Sequence, residues 1–131
     1  MKIIIPALLL SALLLTGCTA SSNAIEANSY RQITMQEAVK MMETEKDAII
    51  LDVRTEQEFA AGHIPGAILV PNETIGTKEI PQLPDKDQLI MVYCRSGNRS
   101  KQASGKLIQL GYTRVVEFGG INSWPGEIVT D

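Results

Sequence analysis

Residues 94 to 100 read Cys-Arg-Ser-Gly-Asn-Arg-Ser. They combine a nucleophile with the means to make it an anion. A thiol attacks only as its thiolate. If this stretch opens a helix, the first-turn amides have no intrahelical acceptor. They can point at the sulfur, and with the helix dipole they favour negative charge. Arg95 and Arg99 add positive charge. Gly97 allows the backbone to curl through positive φ, and Asn98 tolerates that region. Surroundings of this kind lower a thiol pKa from about 8.5 to between about 3.5 and 7.5. The expected site is therefore Cys94 with a cradle of Arg95, Ser96, Gly97, Asn98 and Arg99. The plain alternative is an ordinary strand-to-helix turn around a buried, inert Cys.

The flanking pattern supplies elements that can position such a loop. Thr34 with Glu37 forms a capping box, predicting a helix that ends near residue 46. Residues 48–53 form an apolar run with one acid, Asp52, as in a strand covered on both faces. Thr55 with Glu58 makes a second capping box and a short helix to residue 61. Residues 67–70 and 88–93 read as further strands. The proline-bearing stretch 71–87 reads as loop with one helical turn. A helix is predicted over 99–110, with Gly111 just past its end. Residues 115–118 read as the last strand, and Gly119-Gly120 as a turn. Strands alternating with helices imply an α/β fold with a parallel sheet, whose ligands sit at the carboxyl ends of strands. Cys94 occupies that position. Asp52 and Arg54 end the first strand on the same side, and an Arg54–Glu58 ion pair is expected beside the loop. His63, Trp124 and the Met41-Met42 pair read as structural.

The chain has 131 residues, with 12 basic and 15 acidic side chains and a formal charge of −3. That suffices for one domain. No block of like charge suggests nucleic-acid binding. An anionic substrate has to be drawn by local positive charge. Lys2 is followed by an apolar run too short to span a bilayer, which takes about 20 residues. It reads as an export signal. Leu15-Thr16-Gly17-Cys18 resembles the lipobox of bacterial lipoproteins. That resemblance implies cleavage after Gly17 and acyl chains on Cys18. The expected organisation is a leader over 1–17, a small polar tether over 18–29 and a domain over 30–131. The expected location is the bacterial cell envelope, lipid-anchored and outside the cytoplasm, and Thr19 leans it toward an outer membrane. With Cys18 lipidated, Cys94 has no disulfide partner in the chain, and a lone exported thiol is either paired with another molecule or reactive.

Three stretches carry a second resemblance. CRSGNRS, LDVRTEQEFAAGHIPGA from Leu51 to Ala67, and GGINSW from Gly119 to Trp124 resemble signatures of rhodanese-like sulfurtransferases. The resemblance implies a five-stranded parallel sheet flanked by helices on both faces. It implies that Cys94 takes a sulfane sulfur from a thiosulfate-like donor and passes it, as a persulfide, to a thiol or cyanide acceptor. No metal or organic cofactor is required, and a monomer is expected. Asp52, Arg54 and Glu58 become supporting residues, and His63 belongs to a structural turn. Related phosphatase loops place Arg after Cys and five residues. Here that position is Ser100, and Arg99 follows only four, which favours a single sulfur over a phosphate. The competing reading is a redox or protein-binding module acting through mixed disulfides at Cys94.

Overall fold

A computed structural model describes Gly17 and residues 29–131. All of the leader except Gly17, together with Cys18 and nearly all of the tether, lies outside those residues. The folded chain starts where the charged and apolar pattern begins. Strand β1 (Arg31–Gln32) leads into α1 (Met35–Thr44), followed by β2 (Ile49–Asp52), α2 (Glu56–Ala61) and β3 (Ile68–Leu69). A 3-10 turn (Asn72–Thr74) and a long loop precede β4 (Ile90–Cys94). Then come α3 (Asn98–Gln109), β5 (Val115–Gly120) and a last 3-10 turn (Ile121–Ser123). The five strands are all parallel, in the order β1-β5-β4-β2-β3.

Both expected capping boxes form. Thr34 and Thr55 each accept the amide of the residue three along, and Glu37 and Glu58 each reach back to the cap amide. They fix where α1 and α2 begin, so the strands before them end at defined points. The central strand β4 is buried along its whole length. Its side chains alternate between two cores. Ile90, Val92 and Cys94 pack with Leu51, Val53, Ala103 and Leu107 beneath α3. Met91 and Tyr93 pack with Ala38, Val116 and Phe118 beneath α1. Each fully buried aliphatic side chain contributes about 1.5–3 kcal/mol. The cores therefore hold β4 from both sides, and Cys94 is the last residue of that clamped strand.

Two expectations change. Strand β1 was not expected, because two exposed residues carry no alternation; its pairing with β5 supplies the fifth strand. Gly119 and Gly120 are not a turn but the end of β5. Val92 pairs with Glu117, whereas Cys94 pairs with Gly120, so β5 carries one extra residue in that interval. Such a bulge re-aims the neighbouring side chains.

Asp52 seals the carboxyl end of β2. It is fully buried, and its carboxylate accepts two hydrogen bonds from the Arg54 side chain to separate oxygens, at 3.0 and 2.7 Å. The Tyr93 hydroxyl donates to it at 2.7 Å. Arg54 also donates to the Gly62 carbonyl at 2.7 Å, and the Tyr93 oxygen accepts from the Ile64 amide. These bonds tie the turn after α2 to the sheet. Removing one partner leaves a buried charge unpaired. Asp52→Ala should therefore destabilise the domain by about 3–5 kcal/mol in urea unfolding, whereas a loss below about 1 kcal/mol would show the pair to be solvated.

Candidate active site

The site forms where β4 ends and α3 begins. Cys94 is 1% exposed. Arg95 and Ser96 are exposed, and Gly97 is buried. Gly97 adopts φ 118°, a left-handed conformation that side chains resist, and it caps α3. This reversal brings the Gly97 amide back to Cys94 Sγ at 3.0 Å. The loop also lies directly on β5. A Cβ on Gly120 would sit 2.0 Å from the Arg95 carbonyl oxygen, so no larger residue fits there. The Asn122 amide donates to that same carbonyl at 3.2 Å.

Ser100 completes the pocket. Its Oγ lies 3.4 Å from Cys94 Sγ, with the thiol as donor. Its own hydroxyl faces the Gly97 carbonyl at 2.9 Å and the Glu117 carboxylate at 2.6 Å. Burial pushes the Cys94 thiol up. The Ser100 hydroxyl and the amides of Ser100, Gly97 and Ser96 outweigh it, and the pKa falls below the ordinary thiol value. A buried inert Cys meets apolar neighbours; this one meets donors suited to an anion.

The arginines are arranged differently from expectation. Arg54 does not pair with Glu58, because Asp52 is two residues away and already oriented toward it. Asp52 and Arg54 sit with Tyr93, on the sheet face opposite the Cys94 sulfur. Glu58 instead takes Arg99 across the gap between α2 and α3, with paired contacts of 2.6 and 3.0 Å. Arg99 therefore arrives at the site with its charge partly neutralised, while still lying close enough for the Cys94 charge to act on it. The exposed Arg95 side chain makes no ion pair among the described residues. It lines a hollow of about 300 Å³ together with Arg54, Glu58, Gly62 and Asn122. Asn98 begins α3 with ordinary helical backbone, since positive φ is confined to glycines. His63 stacks on Phe59 and bonds the Phe59 carbonyl and Asp131, away from the loop.

Ser100 and Glu117 are the site residues that the motif did not flag. Ser100 was visible only as the position where a phosphatase would carry Arg. Glu117 had one signal: an acid within the apolar strand, between Val115 and Gly119 on the inward-facing side.

Comparison with known proteins places this geometry. Residues 34–127 match the rhodanese-like domain. The chain belongs to that family. A sulfurtransferase from Allochromatium vinosum is 40% identical over 105 residues, covering 78% of this chain and 87% of its own. Thiosulfate sulfurtransferase PspE from Escherichia coli is 35% identical over 71 residues, covering 54% and 68%. The crystal structure of a rhodanese-related protein from Thermoplasma volcanium superposes with a TM-score of 0.64 at 32% identity, covering 78% of this chain and 100% of that one.

The Glu58–Arg99 bridge has a defined pH range. Pairing with Arg99 lowers the Glu58 pKa from 4.5 to about 2. A depressed carboxylate pKa gives stability that is present above the unfolded value and lost as pH falls through the folded one. The stability difference between the wild-type chain and Glu58→Gln should be constant from pH 8 to pH 5 and shrink between about 4.5 and about 2. A difference that vanishes above pH 5 would show that the bridge does not form in solution.

Proposed function

We propose that this chain is a rhodanese-type sulfurtransferase that carries one sulfur atom as a persulfide on Cys94. The observation that carries this is the Gly97 amide 3.0 Å from Cys94 Sγ at the head of α3. The same donors that favour a thiolate favour the persulfide anion that replaces it. In the first half-reaction the Cys94 thiolate attacks the outer sulfur of a thiosulfate-like donor. A bond forms between Sγ and that sulfur, the donor's S–S bond breaks, and sulfite leaves with the electron pair. In the second, a thiol or cyanide attacks the outer sulfur of the persulfide. The Cys94–sulfur bond breaks, and the thiolate returns with its electron pair. This is two-step covalent catalysis with no net redox change. Arg95, exposed at the rim, supplies local attraction for an anionic donor that the chain's negative net charge does not. The burial of Cys94 favours a small donor over a mixed disulfide with a partner protein.

Treatment of the full chain with thiosulfate should add the mass of one sulfur atom at Cys94 and release sulfite, and cyanide should then yield thiocyanate. Cys94→Ser should abolish both steps while its melting temperature stays near that of wild type. An unmodified mass together with no thiocyanate would reject the reading.

The sequence signal for export supports a place for this chemistry on the membrane. We propose that Cys18 carries the lipid anchor and holds the domain outside the cytoplasm. Cells given labelled palmitate should label the full-length chain, and Cys18→Ala should abolish the label and release the domain to the soluble fraction. Label retained on Cys18→Ala would reject the anchor.

A further inference from the structure

Glu117 is 3% exposed and sits inside the α3 core, where a lone carboxylate is costly. Its Oε1 accepts from the Gly119 amide at 2.8 Å and from the Ser100 hydroxyl at 2.6 Å. The β5 bulge creates the first of these contacts by turning the Gly119 amide back onto the side chain. Ser100 in turn accepts from the Cys94 thiol. Three side chains thus form a continuous line of hydrogen bonds: Cys94 to Ser100 to Glu117. A hydroxyl has a single proton to donate. While Ser100 gives it to Glu117, none remains for the sulfur.

We propose that Cys94, Ser100 and Glu117 act as one proton-sharing unit, in which the buried Glu117 carboxylate controls, through Ser100, when Cys94 becomes a thiolate. Glu117 is a positioning residue, because it touches neither the sulfur nor the transferred group. In the resting arrangement the thiol holds its proton and Glu117 carries the charge. As Cys94 ionises, its proton passes to Ser100 Oγ and the Ser100 proton passes to Glu117 Oε1. The unit keeps one negative charge, now on sulfur, and loses no proton to solvent. Ionising both groups at once places two like charges in one buried site and is disfavoured. In a sulfurtransferase, which this assignment presupposes only for its purpose, persulfide formation then moves the charge outward to the transferred sulfur, away from Glu117.

The surroundings leave this unit in control of its own proton. Arg99 of α3 is the charged side chain nearest in effect to Cys94, and it is held by Glu58 of α2, with Glu73 also acting on it. Arg95 is exposed beyond the sulfur, as is Lys101 of α3, and Lys106 of α3 donates to Asn72. On the sheet, β1 places neutral Gln32 opposite Glu117, and β4 places Val92 there. Asp52 and Arg54 of β2 neutralise each other on the opposite face, where α1 also packs.

The test is the pH profile of Cys94 alkylation, which needs no sulfur-transfer activity and so stands or falls apart from the proposed reaction. The wild-type chain should alkylate in two pH steps, because coupled groups titrate as a pair. Glu117→Gln can keep the Gly119 contact through its oxygen while its amide donates to Ser100, freeing the Ser100 proton for sulfur. It should show one step, about one pH unit or more below the second wild-type step. A single-step wild-type profile, or equal midpoints in the two proteins, would overturn the proposal. A merely structural Glu117 would change the melting temperature without moving this profile. Should Glu117→Gln not fold, the Glu117 carboxyl carbon of the wild-type chain, followed by 13C NMR, should shift at both alkylation midpoints. A resonance that stays flat across them would overturn the proposal equally.

Discussion

Much of this domain exists to hold the three-residue passage from β4 to α3, where the chain reverses and the Gly97 amide meets the Cys94 sulfur at 3.0 Å. The contact joins the end of the most buried strand to the start of the longest described helix. It needs β4 fixed in depth, α3 fixed in direction and β5 close enough to support the loop from below. The two cores supply the first, since alternate residues of β4 are gripped by opposite layers. The Glu58–Arg99 bridge and the apolar face of α3 supply the second. Gly120, which leaves room for the Arg95 carbonyl, supplies the third.

The consequence for chemistry is a thiol that is both buried and polar in its contacts. Burial alone protects a Cys and raises its pKa. Here the desolvation is met by amides that cannot reorient and by one hydroxyl that can. Fixed donors stabilise charge at no reorganisation cost when the charge appears. The movable one, Ser100, is shared with a carboxylate. That division gives the site a stable preference for an anion and a separate control over when the anion forms. The supporting ion pair Asp52–Arg54 belongs to a different task. It anchors the turn after α2 from the far face of the sheet and leaves the sulfur to α3.

Much of this was legible in the residues. Capping boxes at Thr34 and Thr55 marked helix starts because their signal is local and reciprocal. The loop motif marked Cys94 and Gly97 because an anion cradle demands those types in that order. Features set by tertiary pairing were not legible. Arg54 had both Asp52 and Glu58 within reach along the chain, and only the strand direction decides between them. Glu58 found Arg99 from a segment 41 residues away. The role of Glu117 depends on a bulge that exists only when β5 lies against β4. The short strand β1 has no pattern of its own and is defined by its partner.

On the proposed function, Cys94 carries sulfur in the living cell. The most direct measurement is the mass of the Cys94 peptide from protein recovered from cells, with free thiols blocked at lysis. A population of Cys94 bearing one additional sulfur, increased when cells are fed thiosulfate, is the predicted result. Cys94 found only as a mixed disulfide or a plain thiol, unchanged by thiosulfate, would contradict it.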